Sequence, residues 1–197
     1  MYFKQGNFAL PLFSQFLTQF SYMGAGFVLV PLFLTELLDY SATRASLLVT
    51  SRPGFFALAG VFLGFVGQKF GERTMSISGA GFVALSTFGL AFMNERIGDW
   101  YVFIMLGVAG FGLGLMMSSL TVAMTSAVRP EDMAMAGGAQ QMMMQMGTVT
   151  GIQVLASIQV GREAVSGGTG SFAEAFVVGG VVAVAGALFS LGIRRTT

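Results

Sequence analysis

Long apolar runs separated by short polar segments dominate the chain. Six runs stand out, each near the roughly 20 residues that a helix needs to cross a bilayer. They cover residues 8–34, 45–66, 75–92, 101–124, 134–158 and 172–193. The segments between them are too short to form a soluble domain. The pattern therefore predicts an all-α membrane protein, a single six-transmembrane-helix bundle over residues 1–197.

The composition supports the membrane interpretation. Hydrophobic residues make up 54% of the chain, charged residues 10%, and the mean hydropathy is +0.76. That leaves too little polar surface to cover a soluble globule, so the expected surroundings are a lipid bilayer. The cations are scattered and form no basic face, so no nucleic-acid partner is expected.

Cysteine and histidine are both absent from the sequence. Their absence excludes disulfides, metal sites built on Cys or His, and imidazole general-base chemistry. No catalytic residue, metal site or cofactor is expected, and the chain is not predicted to be an enzyme.

The distribution of cations predicts the orientation, because cytoplasmic loops carry an excess of Lys and Arg. Three cations lie in alternate connectors, namely Arg44, Arg96 and Arg162. The other loops and the two tails carry twice as many, namely Lys4, Lys69, Arg73, Arg129, Arg194 and Arg195. Both termini are therefore expected in the cytoplasm of a multi-pass protein.

Two predicted helices carry glycines at helical spacing. Gly107, Gly110 and Gly114 share one face of the fourth, and Gly147 and Gly151 form a Gly-x-x-x-Gly pair in the fifth. Small residues at such spacing let a neighbouring backbone approach closely. Helix packing is the structural interpretation, and lining of a substrate path is the functional alternative.

Charge inside the predicted helices is rare. The nine acids lie in loops or within about a turn of a helix end, whereas Arg52 lies well inside the second helix. An ionisable residue at membrane depth is a functional candidate because its burial is costly. Arg52 either extends its charged end to the outer headgroups or faces a cavity, and Pro53 beside it would weaken the local helical ladder.

Glutamines form two rows. Gln141, Gln145 and Thr148 share one face of the fifth predicted helix, and Gln15 and Gln19 are four residues apart in the first. A row of buried amides needs partners or water. Both rows are therefore candidates for lining a wet substrate cavity, with interhelical hydrogen bonding as the structural alternative.

The turn between the second and third runs resembles a known signature. Its spacing of Gly64, Lys69, Gly71 and Arg73 is similar to the "motif A" loop of the major facilitator superfamily, which joins the second and third helices of each six-helix half. Gln68 stands where the family pattern has Asp, and Glu72 stands where a cation is usual.

Further segments resemble the C-terminal six helices of the fourteen-helix drug/proton antiporter subfamily, in order and spacing. These segments are the lead at 1–8, and then 31–34, 40–42, 127–132, 137–138 and 145–147. The resemblance implies half of a plasma-membrane transporter that exports lipophilic or cationic small molecules by alternating access, coupled to protons.

The implied partners are a small-molecule substrate, protons and a second transporter half, supplied by a missing N-terminal portion or by a homodimer. Because no acid lies at mid-membrane depth, the proton-carrying group is expected in the other half. The alternative is a truncated fragment that does not transport, or a helical membrane protein that binds other membrane proteins.

Overall fold

A computed structural model describes residues 6–94 and 96–192, without the side chains of residues 6, 7 and 66–69. The described residues are helical outside short turns. Four helical stretches among them are long and apolar enough to cross a membrane, namely Phe8–Leu37, Ala42–Phe65, Asp99–Ser126 and Pro130–Leu191. The predicted all-helical membrane class is confirmed.

The first stretch is irregular around Pro31. It contains α1 (Gly6–Met23), a π-helix (Gly24–Leu29), the short α2 (Val30–Leu32) and a second π-helix (Phe33–Leu37). Pro31 has no N–H to donate, and wider turns on either side accommodate its ring. Thr35 Oγ1 donates to the carbonyl of Pro31 at 2.9 Å. The helix consequently runs to Leu37, beyond the predicted end at residue 34.

The second stretch is interrupted at Thr50, between α3 (Ala42–Val49) and α4 (Ser51–Leu90). Pro53 explains the interruption, because a proline ring clashes with the carbonyl four residues before it, here that of Val49. The break lies next to Arg52 and makes room at the start of α4.

Gly71 divides α4 into a first arm (51–70) and a second arm (72–90), and its φ of 73° is outside the helical region. Both arms pack on α5 (Asp99–Ser126). The contacts are Arg52 with Gly110 and Ala59 with Gly114 for the first arm, and Gly79 with Gly112 and Gly89 with Met105 for the second. Along the first arm, higher residue numbers contact higher numbers in α5, so these two helices are parallel. Along the second arm, higher numbers contact lower numbers in α5, so these two are antiparallel. The chain therefore reverses direction at Gly71.

Gly167, with a φ of 70°, divides α6 (Met133–Leu191) in the same way, into a first arm (133–166) and a second arm (168–191). The contacts with the first span are Phe16 with Gly147 and Phe20 with Gly151 for the first arm, and Ser14 with Gly186 and Ser21 with Gly179 for the second. The first arm runs parallel to α1 and the second antiparallel, so the chain also reverses at Gly167.

These reversals differ from the predicted connectors at 67–74 and 159–171. Both segments are helical apart from their central glycine. One residue at positive φ is enough to turn the chain, and glycine reaches that conformation without the steric penalty of a side chain. No extended loop is needed at either place.

Candidate functional site

Arg52 lies inside the bundle, with 3% of its surface exposed. Its Nη2 donates to the carbonyl oxygen of Tyr22 at 2.6 Å, and its Cζ lies 3.7 Å from the centroid of the Tyr22 ring. A Cβ built on Gly26 would lie 2.9 Å from the same Cζ, so the guanidinium passes close to the backbone there. Tyr22 supplies a cation–π contact and an acceptor together.

The backbone of Arg52 is held from a second direction. A Cβ built on Gly110 of α5 would overlap the carbonyl oxygen of Arg52, so the two backbones are in direct contact. The burial of Arg52 and the contacts of its guanidinium with Tyr22 place the charged end inside the bundle. This is the reverse of a snorkelling side chain, whose charged end stays in water.

The charge of Arg52 is not neutralised within the described residues. Its Nε is buried and has no hydrogen-bond partner there, and no described carboxylate forms an ion pair with it. A charged residue at the centre of a span costs about 2.5–3.5 kcal/mol on insertion scales. An unpaired cation at such a place suggests a function.

A cavity of about 390 Å³ opens beside this cation, between the first span and the start of α4. Its wall is otherwise largely apolar and consists of Tyr22, Met23, Phe27, Val49, Thr50, Pro53, Phe56 and Leu113. A second cavity of about 290 Å³ shares Phe27 and Val49 and extends to Pro31 and Thr35. Together they form a mainly apolar groove with one buried charge.

The glutamines do not form one site. Gln15 is fully buried, and neither atom of its amide has a partner among the described residues. Gln19 Nε2 donates to Thr148 Oγ1 at 3.4 Å, which joins α1 to the first arm of α6. Gln141 and Gln145 instead lie on an exposed face of that arm. Of the expected row, Gln141 and Gln145 are therefore exposed, whereas Thr148 is half-buried and contacts α1.

Hydroxyl groups fill the interior next to Gln15. Ser14 Oγ donates to the carbonyl of Gly186 at 2.8 Å and lies 2.7 Å from Ser190 Oγ, which is 2.9 Å from Ser76 Oγ. This chain links α1 to the second arms of α4 and α6. It satisfies polar groups within the bundle and leads to no described cavity.

All five predicted packing glycines face another helix. A built Cβ would overlap the carbonyl oxygen of Phe16 at Gly147 and that of Phe20 at Gly151. It would lie 2.9 Å from the Phe55 ring at Gly107 and 2.6 Å from Ala59 Cβ at Gly114.

The motif A-like turn borders a separate cavity of about 350 Å³. Gly64, Gly71 and Glu72 contribute to its wall from α4, opposite Ser118 and Ser119 of α5. The side chains of Gln68 and Lys69 lie outside the described residues, and Arg73 is half-buried.

Two charged clusters join helix ends. Arg44 donates to Asp99 through Nε at 2.9 Å and through Nη2 at 3.0 Å, and Tyr40 Oη donates to Asp99 at 2.7 Å. The hydrogen bond from Tyr40 to the Asp99 carboxylate raises the pKa of Tyr40 above its usual value, and burial adds to the increase. Arg162 pairs with Glu174, which also accepts from Ser166. Glu174 is thus engaged in an ion pair.

Sequence reasoning missed Tyr22 and Gly26, the two residues that hold the guanidinium. Tyr22 could have been found, because it belongs to a polar run in α1 with Thr18, Gln19 and Ser21. Gly26 carries no such signal. Its role depends on packing between two helices, because Gly26 and Arg52 are 26 residues apart in the sequence.

Comparison with solved structures gives the same fold over almost the whole chain. A bacterial homologue of the human drug peptide transporters PepT1 and PepT2 matches with a TM-score of 0.86 at 20% identity, over 98% of this chain and 44% of that chain. Tetrameric PepTSo2 matches with a TM-score of 0.79 at 20% identity, over 96% and 40% of the two chains. At these identities the likeness concerns the fold alone.

Sequence comparison gives the family. A curated protein of Streptomyces coelicolor, "Probable actinorhodin transporter", is 30% identical over 142 residues, which are 68% of this chain and 24% of that protein. The chain thus spans less than half the length of each of these proteins. Residues 12–197 match the profile of the Major Facilitator Superfamily. This match covers nearly the entire sequence, and the chain therefore belongs to the Major Facilitator Superfamily.

Proposed function

We propose that the chain is one six-helix half of a plasma-membrane secondary transporter that exports small molecules by alternating access. The main support for this proposal is the structural similarity to the bacterial peptide-transporter homologue, which covers 98% of this chain and 44% of that protein. A bundle that corresponds to somewhat under half of a transporter suits a fold in which two bundles rock about a midplane site.

Six crossings are the topology that this proposal requires. The reversal at Gly167 divides the stretch Pro130–Leu191 into two segments, and the second arm of α4, beyond Gly71, adds a sixth segment to the resulting five, in support of it. The excess of cations on alternate connectors favours cytoplasmic termini. Reporter fusions at Gly71 and Gly168 should report opposite sides of the membrane, and identical sides would refute the six-span topology.

The second half packs, in this proposal, against the first arms of α4 and α6. In an 18-residue apolar window of the stretch Ala42–Phe65 only 22% is buried, against 67% in such a window of Phe8–Leu37. Gln141 and Gln145 are exposed on the first arm of α6. Amides are costly against hydrocarbon, so a protein or water-filled surface suits them better than lipid. The partner is a missing N-terminal portion or a second copy.

The substrates are lipophilic in this proposal, because the groove beside Arg52 is mainly apolar. Cationic substrates, the other class expected from the sequence, suit this half poorly, since the charge buried in the groove wall is itself positive. Export is driven by protons, as the resemblance to the drug/proton antiporter subfamily implies. The titrating group is contributed by the other half, because the described acids of this half lie in loops or near helix ends.

The test uses everted membrane vesicles from cells with and without the gene for this chain. The probes are N-phenyl-1-naphthylamine, 1-anilinonaphthalene-8-sulfonate and ethidium, which are neutral, anionic and cationic. We expect energised uptake of at least one probe to depend on the chain and to collapse with nigericin. Equal uptake of all three with and without the chain would refute transport and favour the non-transporting fragment or assembly protein.

A further inference from the structure

The groove beside Arg52 has the features of a site for one negative charge attached to an apolar body. Arg52 is 3% exposed, lines this groove, and has no hydrogen-bond partner for its Nε among the described residues. The cavity of about 390 Å³ that Arg52 lines is bounded mainly by aliphatic and aromatic side chains. A ligand there meets one cationic donor group and otherwise apolar surface.

The surroundings keep the guanidinium in place without neutralising it. Tyr22 contributes a ring face and a carbonyl oxygen, which bind a cation and leave its charge intact. Gly26 and Gly110 allow close approach to its side chain and backbone. Gly26 belongs to a π-helix, a geometry that occurs frequently at functional sites.

No described acid forms an ion pair with Arg52. Asp99 binds Arg44 and Tyr40, Glu174 binds Arg162, and Glu36 is exposed at the end of the first span. An anion from outside the chain would neutralise the charge of Arg52. Guanidinium groups bind carboxylates and sulfonates through charge-assisted hydrogen bonds, which are stronger in a water-poor site.

We propose that Arg52 and the groove lined by Tyr22, Phe27, Val49, Phe56 and Leu113 bind amphipathic organic monoanions, with the acidic group on Arg52 and the apolar body along the groove. This inference rests on the proposed transport function and names its substrate class. One anionic group is accommodated, because the remaining wall offers little polar surface to a second.

The test compares two dyes that differ in one group. 1-Anilinonaphthalene-8-sulfonate is N-phenyl-1-naphthylamine with a sulfonate added. Their binding is measured by fluorescence titration on the purified chain in phosphatidylcholine nanodiscs, with empty discs subtracted. The variants are Arg52→Gln and Arg52→Lys. The control is Arg96→Gln, which removes the same charge from an exposed position outside the groove.

We expect Arg52→Gln to weaken sulfonate binding by about tenfold or more, the scale of a lost charge-assisted hydrogen bond. Binding of the neutral dye should be nearly unchanged. Arg52→Lys should retain part of the affinity, because it keeps the charge and loses the planar fork. Arg96→Gln should match the wild type with both dyes. Equal weakening of both dyes by Arg52→Gln, or no weakening of either, would overturn the proposal.

The wild-type chain gives a second test that needs no variant. Decanoate should displace the bound sulfonate dye at a concentration about tenfold lower than decanol requires, because only decanoate also pairs with Arg52. Displacement by both alike would show a purely apolar site and overturn the anion assignment. Chain-dependent transport in everted vesicles is a separate measurement, so it can stand when the anion site fails.

Discussion

At the scale of single residues, close helix packing in this bundle depends on glycines, because a side chain at some of these positions would overlap a neighbouring helix. Gly110 lies against the carbonyl oxygen of Arg52, with no room for a methyl group. Gly81 lies in the second arm of α4, and no described atom is within 4 Å of a Cβ built on it. The two glycines differ in surroundings and share a helical backbone.

Gly110→Ala should therefore lower the free energy of unfolding by about 1–3 kcal/mol, because the two backbones must move apart. Gly81→Ala should be neutral or raise it by up to about 1 kcal/mol, since alanine is the better helix former. Thermal unfolding midpoints in the same detergent measure both. Equal effects of the two substitutions would contradict the close packing of α5 on α4.

Two adjacent buried residues of α1 should respond to substitution in opposite directions. Ser14 has two close hydroxyl or carbonyl partners, whereas Gln15 has none among the described residues. Ser14→Ala should lower the free energy of unfolding by about 0.6 kcal/mol, the average for hydrogen bonds between membrane helices. Gln15→Leu should raise it by about 1–3 kcal/mol by removing an unsatisfied amide. The check is again thermal unfolding in detergent, and a destabilising Gln15→Leu would indicate a partner for the amide.

Sequence reasoning identified Arg52 and the buried pair Gln15 and Gln19 because polar residues stand out within apolar runs. It could not tell which glutamines face inward. Gln141 and Gln145 follow the same spacing as Gln15 and Gln19 and are exposed. Spacing fixes which residues share a face, whereas burial of that face depends on which helix packs against it.

At the scale of the helices, direction changes are made by single glycines. Gly167 has a φ of 70°, and no described atom lies within 4 Å of a Cβ built on it, so a side chain there would be opposed by backbone geometry alone. Gly161, six residues earlier, is helical and equally open. Alanine substitutions at Gly167 and Gly161 therefore differ in the backbone conformation they must adopt and not in the space available to the new methyl group.

Gly167→Ala should cost about 1–3 kcal/mol, because a φ of 70° with a ψ of 171° is a backbone conformation that hardly any residue except glycine adopts. Gly161→Ala should be neutral or slightly stabilising. Proteolysis near residue 167 gives a second readout, because a strained turn opens more often. If Gly167→Ala unfolds at the same temperature as Gly161→Ala, the reversal does not depend on glycine.

Hydropathy predicted where apolar helices lie but not where they end. The connectors expected at 67–74 and 159–171 were placed at charged or glycine-rich segments, and the helices continue through most of both. Polar residues can extend a helix past the apolar core, so charge marks a membrane boundary better than a helix boundary. The π-helices around Pro31 and the break at Thr50 likewise reflect local backbone bonding that hydropathy does not record.

At the scale of the whole molecule, the family assignment and the all-helical membrane fold agree with the sequence interpretation. The subfamily, the half-transporter organisation and proton coupling stay predictions. The proposed function requires that the groove beside Arg52 face a water-accessible transport path. The second arm of α6 is not among the surfaces against which the second half is proposed to pack, so we expect its exposed side chains to face lipid. Phe56 lines the groove, and Leu188 is an exposed residue of that arm.

The sequence contains no cysteine, so an introduced cysteine is its single thiol, and the reagent's addition is read on the purified chain after the reaction. The measurement is the rate at which a membrane-impermeant methanethiosulfonate modifies the Phe56→Cys and Leu188→Cys variants in membranes of producing cells, with and without a protonophore. We expect modification of Phe56→Cys, at a rate that the protonophore changes, and none of Leu188→Cys. Absence of modification at both positions, or equal rates at both that the protonophore leaves unchanged, would contradict an alternating-access path along this groove.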